Sequence, residues 1–523
     1  MRSLKLAVFA LFLATSGSTG LEDAAFWDRV ATQELHSALR VSVNERRARN
    51  VVLFVGDGMG PNTITAARIY KGQLAGEGRD AERGLLAFER FPHVALLKTY
   101  NTDKQVSDSA STATALFSGV KSNYKTVGLD ANVKLGDCES SLNKSYRADS
   151  ILKWAQDAGK LTGFVTNTRL THATPAALYA HSAHRSWECE AKMPRSAAKC
   201  KDIARQMVED EPGKSINVIL GGGRQCLVSN VTITAKDPID TWACRRGDRL
   251  DLIRMWEEEK RAKGVSHSVV SKNKELTEVD FEKTDFLLGV FTNGFLQYEH
   301  ERDAEISPSL AEMTVAAIKT LNKGPNGFIL VVESGMIDQA HHRGTARKAL
   351  DETVALEKAV EEALKLVDLN ETLVIVTADH THTLSIAGYP VRGTSIMGIA
   401  YKSKSDALNY TTLSYATGTE IKFYPFNATH VTRPDPSTED VESFEYKQHS
   451  AISTDEGVHG GGEVTAYAIG PWSHLFQSVH EQNYVAHVVG FASKIGNYEV
   501  ATNGAATMEL VTMSAVLICL LFN

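Results

Sequence analysis

Apolar residues in this chain come in short unbroken runs, and three of those runs end on carboxylates and imidazoles. Val51 to Val55 leads into Gly56-Asp57-Gly58-Met59-Gly60, and Phe328 to Val332 leads into Glu333, with Asp338, His341 and His342 close behind. Leu373 to Val376 leads into Thr377-Ala378-Asp379-His380-Thr381-His382. The runs read as strands, and the helix-favouring stretches between them, with Pro61 placed for a first helical turn, make strand–loop–helix units. Further units follow around Phe164-Val165 and Val218 to Leu220, and Glu22 to Asn50 reads as a helix. Alternation of this kind predicts an α/β fold, a largely parallel or mixed sheet with helices on both faces. The stretch 383–454 breaks the pattern: rich in Tyr, Thr, Ser and Gly, it reads as an inserted lobe from which the chain returns with His459.

In open α/β sheets ligands bind beyond the carboxyl ends of the strands, so the residues gathered there are candidates for holding several divalent cations. Asp57 lies in a glycine-flanked turn that allows close approach of a ligand, although such a sequence also makes a plain turn. Asp338 and His342, four apart, stack on one helical face and suit either one cation or a surface ion pair. Asp379 and His380 are adjacent ligands pointing in different directions; His382 is a third ligand or, as we favour, a group orienting the first. His459 sits in a glycine-rich loop that can fold over a site or stand in solvent. Ser109 opens a helix of small residues, where free N–H groups suit a phosphate, and the alternative is helix capping by Asp108 or Ser109. As a nucleophile its hydroxyl needs an activator, which a bound cation supplies. Arg185 has the planar fork for two phosphate oxygens, but the sequence does not select it from other arginines.

Composition narrows the setting. The chain has 523 residues, 43% of them hydrophobic, and a net charge of -7, which argues against a nucleic-acid surface but not against an anionic substrate at bound cations. Residues 1–20 have the charged start and short apolar core of a secretory signal peptide. Near the other end, small residues from Asn503 precede an apolar tail too short for a comfortable span, as in a glycosylphosphatidylinositol signal, with 504–523 removed and Asn503 carrying the anchor. Acceptor tripeptides for N-glycosylation occur at Asn143, Asn230, Asn370, Asn409 and Asn427. With Cys519 in the tail, Cys138, Cys189, Cys200, Cys226 and Cys244 remain, an odd number whose pairing the sequence leaves open.

Gly56-Asp57-Gly58-Met59-Gly60, Asp108-Ser109-Ala110, Thr171-His172-Ala173-Thr174-Pro175, Glu333 with Asp338 and His342, Asp379-His380 and His459 together resemble the animal alkaline phosphatases, from about residue 40 to residue 490 and in family order. The resemblance implies a central mixed sheet of about ten strands, a crown-like lobe at 383–454, a catalytic domain over 21–503, a homodimer, two zinc ions and one magnesium. It assigns Asp338, His342 and His459 to the first zinc, and Asp57, Asp379 and His380 with Ser109 to the second. Magnesium takes Asp57, Thr174 and Glu333, all oxygen donors. His172 falls near magnesium, and Arg185 on the phosphate. The implied reaction is hydrolysis of phosphate monoesters, with broad specificity, by two in-line displacements through a phosphoserine on Ser109. It is carried out at the extracellular face of the plasma membrane by a membrane-anchored enzyme. The resemblance also pairs Cys138 with Cys200; Cys226 with Cys244 is then our assignment, leaving Cys189 over.

Three departures stand out. Gln339 replaces a histidine of the vertebrate members, Ser111 replaces a glycine, and Thr292 and Ser307 stand where acidic residues would hold calcium, so none is expected to be tightly held there. These features lean toward an invertebrate enzyme. The related sulfatases need a Cys-x-Pro-x-Arg or Ser-x-Pro-x-Arg segment, which does not occur, and the related phosphodiesterases lack the Asp57, Thr174, Glu333 set. A catalytically silent surface receptor would have no need of the whole ligand set.

Overall fold

The computed structural model describes residues 21–419, 424–427 and 430–499. The segments expected to be removed, 1–20 and 504–523, lie outside these residues, as does Asn503. The chain divides into two units, 1–42 and 43–523. In the first, Asp23 accepts from the Phe26 N–H at 2.9 Å and caps a helix, Ala24–Ala38, that buries no residue. The helix expected to run to Asn50 therefore stops early. Val41, Ser42 and Val43 are poor helix formers, and in the second unit Ala48 N–H and Arg47 Nε donate to the carbonyls of Ala492 and Ser493, holding the approach to the sheet outside a helix.

Eight strands are numbered here: β1 (Asn50–Gly56), β2 (His93–Lys98), β3 (Leu161–Arg169), β4 (Val218–Gly222), β5 (His267–Val270), β6 (Phe286–Val290), β7 (Phe328–Ser334) and β8 (Thr372–Ala378). With Val464–Ile469 and Val479–Glu481 they make one ten-stranded sheet, in the order 479–481, β2, 464–469, β8, β1, β7, β3, β4, β6, β5. All pairings are parallel except those of Val464–Ile469, so the sheet is mixed and largely parallel. β1, β7 and β8 are buried at every residue, which is why their sequences are unbroken apolar runs. Helices cover both faces. On one, Pro61–Leu74 and Leu310–Leu321 pack against Ala346–Leu366; on the other, Tyr484–Ser493 packs against Ser109–Ser118 and Ile151–Asp157.

Register decides where the chemistry sits. Gly56 pairs with Ser334 on one side and with Ala378 on the other, so β1, β7 and β8 end level. Asp57, Glu333 and Asp379 therefore emerge side by side. The segment after β8 leaves the sheet and forms small sheets of its own, one of three strands (384–386, 413–418, 450–453) and two of two strands. It returns through a short antiparallel pair in which His459 lies opposite His382.

Cys138 is bonded to Cys200 and Cys189 to Cys244, while Cys226 is a buried free thiol. This corrects the expected pairing of Cys226 with Cys244. Cys189, Cys226 and Cys244 share one small apolar cluster, but the Cys226 thiol is directed at the Cys244 carbonyl oxygen, 3.2 Å away. Asn143, Asn230 and Asn370 are exposed; Asn409 is half-buried, its amide donating to Asp435 Oδ1 at 3.2 Å, and the Asn427 side chain lies outside the described residues. Thr292 donates its hydroxyl to the Gly294 carbonyl, and neither it nor Ser307 brings a charge to that loop. Among the described residues no helix is long and apolar enough to cross a membrane.

Candidate metal centre and active site

Four carboxylates, Asp57, Glu333, Asp338 and Asp379, are buried together at the carboxyl end of the sheet. Burial and then the charges of Asp379, Asp338 and Glu333 push the Asp57 carboxyl well above the ordinary range; burial also pushes Glu333 up to about 7. Asp338 goes the other way. Burial opposes its charge, but His342 and His382 outweigh it and hold the carboxyl well below its usual value. Asp57 Oδ1 and Glu333 Oε1 are buried with no hydrogen-bond donor. Anionic oxygens in such surroundings call for cations.

The imidazoles complete the set. His342 Nδ1 and His459 Nδ1 lie 2.5 Å and 2.9 Å from the carbonyls of Gly457 and Ser107, so each ring donates there and turns Nε2 inward. Those two Nε2 atoms are 3.1 Å apart, and each faces Asp338, at 3.3 Å and 3.6 Å. Against burial, Asp338 raises the His342 pKa to about 9, and two ring nitrogens brought that close beside a carboxylate fit a shared cation that would take the place of this proton. His382 Nε2 reaches Asp338 Oδ1 at 2.5 Å and lies within ligand distance of the same group.

A second group is Asp57, Asp338 and His380. His380 Nε2 is 3.3 Å from Asp57 Oδ1, 3.3 Å from Asp379 Oδ2 and 3.2 Å from Ser109 Oγ. Burial pushes the His380 pKa down to about 4, so the ring is neutral and free to coordinate. A third group is Asp57, His172 and Glu333, to which Thr174 adds a hydroxyl 3.4 Å from Asp57 Oδ2. Nitrogen and carboxylate donors in the first two groups suit zinc, and the oxygen-rich third suits magnesium.

Ser109 is the first residue of a helix, Ser109–Ser118, in which every residue is buried, and Asp108 caps it by accepting from the Ala110 N–H at 3.2 Å. Asp108 Oδ2 also accepts from Arg185 Nη1 at 3.1 Å, and Arg185 Nη2 lies 3.1 Å from His172 Nε2. Arg185 is thus brought to Ser109. Gln339 lines the same cleft and donates to Asp338 Oδ2 at 3.2 Å.

The structure also supplies residues that sequence reasoning passed over. Thr166 and Thr168, at the end of β3, donate to Glu333 Oε2, and Thr112 donates to Asp379 Oδ2 at 3.1 Å. Polar residues closing an otherwise apolar strand were the signal for the first two. Ser111 donates to Asp108 Oδ1 at 2.9 Å and accepts from Asn101 Nδ2 at 3.1 Å, which fixes the carboxylate that grips Arg185. Ser111→Ala is therefore expected to weaken competitive inhibition by inorganic phosphate about 2- to 10-fold while kcat changes little, the range for one lost hydrogen bond. An unchanged inhibition constant would remove Ser111 from that role.

Asn167 Oδ1 accepts from the Gly335 N–H at 2.7 Å, at the start of the helix Met336–His342, and its Nδ2 donates to Glu352 Oε2 at 3.1 Å. Burial pushes the Glu352 carboxyl up from 4.5 to about 8. The unfolded chain loses this proton first, so folding stability falls as pH rises from about 4.5 to 8. Glu352→Gln has no such dependence and should gain thermal stability relative to the unmodified protein between pH 5 and pH 9. A gap that stays constant in melting curves across that window would contradict the assignment.

The family profile described as alkaline phosphatase matches residues 48–495. The chain is 42% identical to the alkaline phosphatase, tissue-nonspecific isozyme, of Gallus gallus, over 96% of this chain and 95% of that protein. It is 40% identical to alkaline phosphatase 4 of Drosophila melanogaster, over 91% of this chain and 82% of that one. Among solved structures, the alkaline phosphatase of Thermus thermophilus superposes with a TM-score of 0.60 at 23% identity, covering 86% of this chain and 92% of the other, a likeness of fold.

Proposed function

This chain belongs to the alkaline phosphatase family and is a phosphomonoesterase; from that premise we propose that it hydrolyses phosphate monoesters through a phosphoserine formed on Ser109. The observation that carries the reading is the position of Ser109 Oγ, 3.2 Å from His380 Nε2 at the head of a helix and beside Arg185. Helix N–H groups and the Arg185 fork would hold the phosphoryl oxygens. Asp108, fixed by Ser111 and Lys125, aims Arg185, and Thr112 holds the Asp379 carboxylate in place.

We further propose two zinc ions and one magnesium. Asp338, His342 and His459 would hold the first; Asp57, Asp379 and His380 the second; Asp57, Thr174 and Glu333, with His172 beside them, the magnesium. The orphaned oxygens Asp57 Oδ1 and Glu333 Oε1 and the paired Nε2 atoms support that fit. When bound, such cations supply Lewis acidity and neutralise charge on the attacking and leaving oxygens. From sequence alone come the signal segment 1–20, the catalytic domain 21–503 with its lobe at 383–454, anchoring at Asn503 after loss of 504–523, the five glycans, the homodimer and a place on the outer cell surface.

The test is hydrolysis of 4-nitrophenyl phosphate by the secreted protein across pH, before and after exhaustive chelation. Activity that is lost with the metals and regained with zinc plus magnesium is the expected result. Hydrolysis indifferent to chelation would refute the metal assignment.

A further inference from the structure

The wall of the active-site cleft ends in a tryptophan that nothing in the chemistry above requires. Trp242 lines a cavity of about 780 Å³, room for much more than a phosphate, and the residue is 83% exposed. A large apolar ring left in solvent is usually found on a loose loop tip, but this loop is tightly held. The fully buried Gln225 donates to the carbonyls of Asp240 at 2.9 Å and Cys244 at 3.1 Å and accepts from the Asp240 N–H at 2.7 Å. Arg169 Nη1 grips Asp240 Oδ2 at 2.7 Å, Cys244 is bonded to Cys189, and Lys192 Nζ donates to the Trp242 carbonyl. Arg169 in turn lies over the Phe295 ring at 4.3 Å, and Phe295 packs edge-on against His172 at 5.5 Å. One rigid wall thus runs from Arg185 and His172, at the phosphate end, through Phe295 and Arg169 to an exposed indole.

We propose that Trp242 is a specificity-determining residue that stacks on the alcohol portion of the substrate and favours phosphate monoesters whose leaving group carries a planar ring, such as nucleoside 5′-monophosphates. The proposal rests on reading the cleft as a phosphatase site. A preorganised aromatic face binds a flat ring with little entropy lost, and it accepts any base because every base has a π-face. The ring leaves with the alcohol, so stacking acts on capture of the ester and not on breakdown of the phosphoserine.

The experiment compares kcat/KM for adenosine 5′-monophosphate and for glycerol 2-phosphate in the unmodified protein, Trp242→Ala and Trp242→Tyr. Trp242→Ala is expected to lower the ratio of the two constants about 10-fold, the range of one base stack, and Trp242→Tyr to recover most of it. A ratio that stays within about twofold in Trp242→Ala, with both esters still hydrolysed, overturns the inference and leaves the phosphatase reading standing. Hydrolysis of neither ester by the unmodified, metal-loaded protein overturns that reading and the inference with it.

Discussion

Ser109→Ala is expected to lower kcat/KM for a phosphate monoester by about 10,000-fold or more, the scale on which removing a covalent nucleophile acts. The fold should not suffer. Ser109 begins a helix built of Ala, Ser, Thr and a few larger residues, so alanine fits its place, and the side-chain oxygen has one neighbour of consequence, His380 Nε2. The cap on that helix comes from Asp108, which the substitution leaves alone. Steady-state kinetics paired with elemental analysis separate the possibilities. A variant with its full metal content and almost no turnover is the expected result; a variant that keeps its rate within about tenfold would assign the attacking group elsewhere.

The second large effect concerns the cations. Asp338 takes part in two of the three ligand groups and is the carboxylate that His342 and His382 hold ionised. Asp338→Asn keeps the volume and removes the charge. It should lower activity by more than about 100-fold, beyond what the loss of an outer partner of a ligand costs, and measured zinc content should fall with it. Chelation of the unmodified protein should act on stability as well, because the buried carboxylates then lose the cations that offset their mutual repulsion and a ligand that binds only the folded state is withdrawn. A drop in melting temperature on chelation, reversed by zinc plus magnesium, checks this by calorimetry. A midpoint indifferent to the metals would mean that the carboxylates are accommodated in another way.

Much of the fold could be read from the sequence because its central strands are buried on both faces. β1, β7 and β8 could be found from their unbroken apolar runs, and the motifs that end them pointed to the family. Their common level could not be found this way. Nothing in Val51 to Val55 announces that Gly56 pairs with both Ser334 and Ala378, and it is this register that places Asp57 next to Glu333 and Asp379. The same limit explains the residues passed over. Thr112, Asn101 and Asn167 look like ordinary helix, loop and strand positions until the fold sets them against Asp379, Ser111 and the helix start at Gly335. Cys189 and Cys226 are chemically alike and share one cluster with Cys244, so only side-chain direction distinguishes them. The overlong helix after Glu22 erred for a simpler reason: apolar spacing was followed through Val41, Ser42 and Val43, where propensity fails.

The central claim is that the phosphoryl group passes to Ser109 before it reaches water. Its most direct test is the stereochemical course of phosphoryl transfer from a monoester made chiral at phosphorus with oxygen isotopes to an added alcohol that takes the place of water as the final acceptor. Each in-line displacement inverts the phosphorus centre, so two in succession predict net retention. Net inversion would mean a single direct displacement and would contradict the account.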